Sequence, residues 1–171
     1  MKSFLVLVLL FAAVNLAAGF QQSAWMKFES TPGSFSVLLP VEPREEKKNH
    51  DSPNGPYTTV LYISKADPEL YLVSWVDYDP KFNFDPVKEL EANRDNLVKT
   101  VNGTLLTSKK ITLGAYQGLE FTGESARIAF KSQVFIVGKR PYLLCYVFPP
   151  GQESIPNGAK FFSSFHLKRK V

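Results

Sequence analysis

The chain has 171 residues, 44% of them hydrophobic and 21% charged, and its 20 Lys and Arg against 16 Asp and Glu give a formal net charge of +4. So small a basic excess can aid approach to an acidic partner but does not establish nucleic-acid binding. Cys145 is the one cysteine, which excludes an intrachain disulfide, and the length leaves no room for two independent cores.

The first residues, MKSFLVLVLLFAAVNLAAGF, set Lys2 before an apolar run from Phe4 to Val14 and then small residues. That is the layout of a secretory signal peptide. Ala17 and Gly19 suit the positions before a cleavage site, so the expected organisation is a signal peptide at 1–19 and a single α/β domain at 20–171. The apolar run falls short of the roughly 20 residues of a spanning helix, and Phe20 stands where a bacterial lipid anchor needs cysteine. The expected location is secreted or periplasmic, with no stable membrane span after cleavage. The mature chain would keep 19 basic and 16 acidic residues, a net charge of +3.

In chain order, Trp25 and Phe28 read as packing residues, and a short strand is predicted around Phe35 to Leu39, ended by Pro40 and Pro43. The stretch REEKKNHDSPNGP, 44–56, is charged or turn-forming throughout and reads as an exposed loop. Tyr57 to Ile63 and Leu70 to Val76 alternate as strands, and the Asp67-Pro68 turn between them predicts an antiparallel pair. The clearest helix begins at Asp85, a capping side chain, with Pro86 at the first helical position. Val87, Leu90, Leu97, Val98 and Val101 recur as its buried stripe, Arg94 lies at the stripe's edge, and Gly103 marks the stop.

Further strands are predicted around Thr104 to Ile111 and Tyr116 to Phe121. Ala126 to Val137 and Tyr142 to Phe148 then give the strongest hairpin, closed by GKRP. Ile128, Phe130, Val134 and Ile136 form one row in this reading, matched by Tyr142, Leu144, Tyr146 and Phe148 on the partner strand. AKFFSSF reads as a short helix or packed turn before a basic tail at Lys168, Arg169 and Lys170. The order lacks the βαβ alternation of a dinucleotide-binding fold.

The segments FESTPGSFSVLLPVEP, WVDYDPKFNFDP, GAYQGLEFTG and RIAFKSQVFIVGKRPYLLCYVF, in this order, resemble the Mog1/PsbP-like class and, within it, small exported bacterial proteins of uncharacterised function. The resemblance covers nearly all of 25–167. It implies an antiparallel central sheet flanked by helices, an α/β/α sandwich. In that class the Mog1 branch binds a small GTPase and the PsbP branch assists photosystem II. Neither role transfers by residue, because an export leader conflicts with a nuclear role and no chloroplast transit segment precedes the core. What the resemblance carries is a scaffold and a preference for binding or accessory activity.

The motifs of chemistry are missing from the sequence: no G-x-S-x-G elbow, no phosphate loop and no dinucleotide fingerprint, so no cofactor and no catalytic residue is assigned. Cys145 lies within the apolar YLLCYVF and the two histidines, His50 and His166, lie in a polar loop and near the terminus. Asp77, Asp79 and Asp85 in DYDPKFNFD crowd together, but Phe82 stands where an EF-hand needs glycine and Lys88 where it needs its distal acid, so no metal site is assigned. Glu120 and Glu124, expected to flank a turn, are the least implausible pair for acid/base work, with a salt bridge the more economical reading. Tyr71, Trp75, Tyr78, Phe82 and Phe84 form a candidate ligand or partner surface, the alternative being rings that cover the sheet. Asn102-Gly103-Thr104 is an N-glycosylation acceptor pattern if the chain is eukaryotic and secreted, and otherwise the helix C-terminal turn. Three functional classes stand after this reading: a noncatalytic exported binding or accessory protein of a protein or small molecule, a small secreted hydrolase using carboxylates, and a structural envelope protein.

Overall fold

Period-two alternation of large apolar residues dictates most of this chain, and the computed structural model, which describes residues 24–153 and 155–168, is built chiefly of strands. The expected signal peptide and the tail residues Arg169 and Lys170 lie outside the described residues.

β1 (Met26–Ser30) and β2 (Phe35–Leu39) form a hairpin, and β10 (His166–Leu167) joins the other side of β2 to complete a three-stranded sheet. The larger sheet has seven strands: β3 (Arg44–His50), β4 (Tyr57–Ala66), β5 (Glu69–Tyr78), β6 (Thr104–Leu113), β7 (Tyr116–Glu124), β8 (Ala129–Val137) and β9 (Arg140–Phe148). Their spatial order is β3-β4-β5-β9-β8-β7-β6, and every neighbouring pair is antiparallel. The hairpins β3-β4-β5 and β6-β7-β8-β9 are local. The join between them, β5 on β9 with Leu70 opposite Val147, closes a long excursion of the chain.

α1 (Pro86–Thr100) starts where its cap dictates. The Asp85 carboxylate accepts from the backbone N–H groups of Val87 at 2.8 Å and Lys88 at 3.2 Å, satisfying two donors that the first turn leaves open. At the other end the left-handed residue is Asn102, with φ 50°, and Gly103 serves a different need. A Cβ at Gly103 would stand 2.8 Å from the Glu124 carbonyl oxygen, so only glycine lets the chain pass this close to β7. The Asn102 side chain is exposed. α2 (Ile155–Ser163) packs Phe161 into the core.

Two apolar layers sandwich the seven-stranded sheet. On one face Leu90 of α1 meets Phe121, Phe130, Val134 and Cys145. On the other, Tyr71, Val73, Trp75, Leu144 and Tyr146 meet Phe35, Val37 and Leu39 of the small sheet and Phe161 of α2. The protein is therefore an α+β fold made mainly of antiparallel sheet. α1 covers one face, but a three-stranded sheet does much of the covering on the other, where a helix-flanked sandwich would have placed helices.

Four local expectations change. REEKKNH is not loop but β3: its charged side chains stay in water while its backbone pairs with β4, Arg44 opposite Ile63 through His50 opposite Tyr57. Backbone pairing needs no apolar side chains, which is why composition alone missed it. Val87 leaves the buried stripe of α1 and is 52% exposed. The β8-β9 rows belong to opposite faces: Phe130 pairs with Val147 and Val134 with Leu143 toward α1, whereas Tyr142, Leu144 and Tyr146 pair with Phe135, Gln133 and Lys131 toward the small sheet. Glu120 and Glu124 lie in one strand, β7, with no turn between them.

Candidate binding groove

At the end of the large sheet where β5 finishes, the turns β6-β7 and β8-β9 come together with Ser34 of the β1-β2 turn and with Leu167 and Lys168. They enclose an open groove of about 920 Å³. Its walls mix apolar surface from Leu113, Tyr116, Val137 and Leu167 with three cations, Lys139, Arg140 and Lys168, and one carboxylate, Asp77. The β8-β9 turn has Gly138 at φ 63°, a conformation that leaves Lys139 at the tip and Arg140 at the start of β9.

Arg140 is the most constrained of the three cations. Its Nη1 donates to the Pro32 carbonyl and its Nη2 to Asp77 Oδ1, each at 2.8 Å, and its guanidinium lies 4.5 Å from the centre of the Trp75 ring. Burial works against its charge, but the bonds to Asp77 and Tyr142 outweigh it and hold the guanidinium above its ordinary value. Tyr142 donates to the Gly33 carbonyl at 2.7 Å, and burial pushes its phenol up. Lys139 Nζ donates to two neutral acceptors, the carbonyls of Pro80 at 2.7 Å and Phe82 at 3.2 Å, and forms no ion pair among the described residues. Lys168 pairs with Glu29 at 2.5 Å, and Lys27 reaches the same carboxylate at 2.6 Å. The bond from Lys168, then that from Lys27, brings Glu29 down to about 2.

The five aromatic residues singled out from sequence do not form one surface. Tyr71 and Trp75 are 1% and 5% exposed and lie in the core beneath the small sheet. Tyr78 falls on the other parity of β5: its ring stacks on Phe82 at 4.3 Å, touches Phe84 at 5.3 Å and Tyr57 at 5.6 Å, and its hydroxyl donates to Glu89 of α1 at 2.6 Å. Burial pushes the Tyr78 phenol up, and the Glu89 carboxylate adds to the effect. These half-buried rings fasten the 79–85 loop and α1 to the sheet, and of the five only Tyr78 lines the groove.

The residues considered for catalysis are dispersed. Cys145 faces α1 and is 1% exposed, and burial pushes its thiol up to about 12, so it holds its proton at neutral pH. His166 lies in the small sheet on the opposite side, and His50 stacks on Tyr57 at the end of β3. Glu120 is an ion-pair acceptor for Lys109 at 2.8 Å and Lys131 at 3.5 Å, and Gln133 donates to it at 2.8 Å. The three aspartates are each engaged separately: Asp77 by Arg140, Asp79 by the Lys81 backbone N–H and Asp85 by the α1 cap.

Sequence reasoning missed Glu69. Its carboxylate accepts from the hydroxyls of Tyr71 and of Tyr146, the latter at 2.5 Å, and from Asn157 Nδ2 at 2.9 Å, which ties α2 to the sheet. It missed Lys139 and Arg140 as well, for which the GKRP turn was the available signal.

No protein-family model matches the chain, and no curated protein matches it. Among solved structures it is similar to the solution structure of cyanobacterial PsbP (CyanoP) from Synechocystis sp. PCC 6803, with TM-score 0.58 and 9% identity, over 90% of this chain and 98% of that one. The chain has a PsbP-like fold. A Pseudomonas aeruginosa protein of unknown function, PA94, is 8% identical over 79% of this chain and 88% of its own, at a TM-score of 0.39 too low to carry an argument. Within the PsbP-like fold of this chain the groove lies at the β5, β6-β7 and β8-β9 end of the large sheet, with Ser34, Leu167 and Lys168 at the end of the small sheet on its other side. None of the described helices is long and apolar enough to cross a membrane.

Proposed function

We propose that this is a noncatalytic exported binding or accessory protein that takes an anionic, partly apolar ligand in the groove at the turn end of its large sheet. The observation that carries the reading is Lys139, a groove-lining lysine held by two carbonyls and paired with no carboxylate among the described residues. A cation so placed offers Coulomb attraction to a ligand without first having to break an ion pair. Arg140 and Lys168 add charge that Asp77 and Glu29 already balance, while Leu113, Tyr116, Val137 and Leu167 supply contact area. Of the aromatic residues, Tyr78 belongs to this site, with Phe82 and Phe84 supporting it. The export part rests on the leader pattern at 1–19.

The test is native mass analysis of the protein purified without residues 1–19, compared with Lys139→Glu. The expected result is a retained anionic compound or partner that the variant loses while its melting temperature is unchanged, with no turnover on broad hydrolase panels. Turnover that one substitution abolishes would replace this reading with the hydrolase.

A further inference from the structure

The large sheet ends on β6, ten residues with no strand beside them among the described residues. Ten extended residues present an edge of roughly 33 Å whose outward N–H and C=O groups are open to another chain. Directly beside this edge is a hollow of about 260 Å³ between β6-β7 and the first half of α1, walled by Val87, Leu90 and Leu119 with Glu91 and Lys110 also lining it. The two features coincide because α1 packs chiefly over β7, β8 and β9 and reaches β6 by the long side chain of Arg94, whose Nη1 donates to Ser108 Oγ at 3.3 Å. That leaves Val87 half in water at the hollow's wall. A free strand edge next to an apolar hollow is the arrangement by which a sheet accepts an extended peptide: main-chain bonds along the edge, and a pocket for one side chain of the incoming strand.

The charges on β6 select the occupant. Lys109 and Lys110 sit in the middle of the strand and, being consecutive, point to opposite faces. Lys109 is 68% exposed even while it pairs with Glu120, and Lys110 forms no ion pair among the described residues. A second copy adding its own β6 antiparallel and centred would set Lys109 opposite Ser108 and Lys110 opposite Thr107, leaving lysines of the two strands as diagonal neighbours on each face, within reach of repulsion by their long side chains. An incoming strand with acidic side chains at its centre meets a cation on each face. We infer that β6 is a strand-addition site for an extended segment of a partner protein that is acidic at its centre and seats an apolar side chain between β6 and α1.

A phage-displayed library of randomised ten-residue segments, panned against the protein, tests this. Selected segments should carry Asp or Glu centrally, and one of them, synthesised, should slow amide hydrogen exchange across 104–113 and leave 44–50 unchanged. The charge reversal Lys109→Glu with Lys110→Glu should weaken that peptide roughly tenfold, the scale of two exposed ion pairs, while the uncharged Val87→Asn should weaken it through the hollow alone. The inference is overturned by a library that yields no segment, by selected segments without central acids, by protection elsewhere than 104–113, or by protection of 104–113 that grows with protein concentration without peptide, which would make the occupant a second copy. Because the groove at the turn end takes no part, its ligand can fail to appear without touching this result.

Discussion

At one edge of the seven-stranded sheet β3 has seven residues, five of them charged; at the other, β6 has ten, with two lysines among threonines and apolar residues. Both strands expose a row of backbone donors and acceptors, so what separates them is side chain. Arg44, Glu45, Glu46, Lys47 and Lys48 carry both signs, with Arg44 and Glu46 paired at 2.6 Å, and an approaching strand of either charge meets repulsion somewhere. On β6 the irregularity between Leu105 and Thr107 disturbs one end, and the two lysines oppose self-pairing while leaving an acidic strand free to approach. The lesson is that an edge blunted by mixed charge is closed to most partners, whereas an edge guarded by one sign is closed selectively.

The largest effect should come from the strands that support each edge. Phe121, fully buried in β7 against Phe130, holds the β6 side, so Phe121→Ala should cost about 3–5 kcal/mol in urea unfolding. Val60, buried in β4 beneath β3, is smaller, and Val60→Ala should cost about 2 kcal/mol. Equal losses would erase the asymmetry.

A smaller effect should follow acidification. Burial raises Glu120, but the bonds from Lys109 and Gln133 and the charge of Lys131 outweigh it, so its folded value lies below the ordinary 4.5. A carboxyl depressed by folding adds stability that is whole above the unfolded value and is lost as pH falls through the folded one. Glu120→Gln should therefore lower stability at neutral pH and flatten the decline below about pH 4.5. An unchanged acid limb in urea titrations would show that Glu120 does not tie β6 to β7 and β8.

The smallest effect on stability, and the sharpest on the comparison, concerns the edges themselves. Lys109→Thr with Lys110→Thr should change stability by no more than about 1 kcal/mol but raise concentration-dependent light scattering. Lys47→Thr with Lys48→Thr should not, because Arg44, Glu45 and Glu46 remain on β3. Matching behaviour of the two double variants would mean that the mixed charge of β3 confers no protection.

Much of the scaffold is legible in the sequence itself. Asp85 and Pro86 announce α1, the alternation at 57–63 and 70–76 announces the β4-β5 pair, and the Gly138-Lys139 turn announces β8-β9. The candidate surface is less legible. Tyr71 and Trp75 share one parity of β5 and Tyr78 the other, which the sequence shows, but whether each face is covered depends on which elements pack there. The groove joins stretches near residues 34, 77, 113, 138 and 167, and no local pattern couples them.

Residue periodicity and capping chemistry by themselves determined the start of the long helix and the rough placement of the apolar strands, because those preferences act within a few neighbouring residues. The tertiary structure alone decided that β5 pairs with β9, that REEKKNH becomes an edge strand and that α1 packs chiefly over β7, β8 and β9. Such choices follow from long-range register and from how much apolar surface each packing removes from water, quantities that exist only once the distant segments meet.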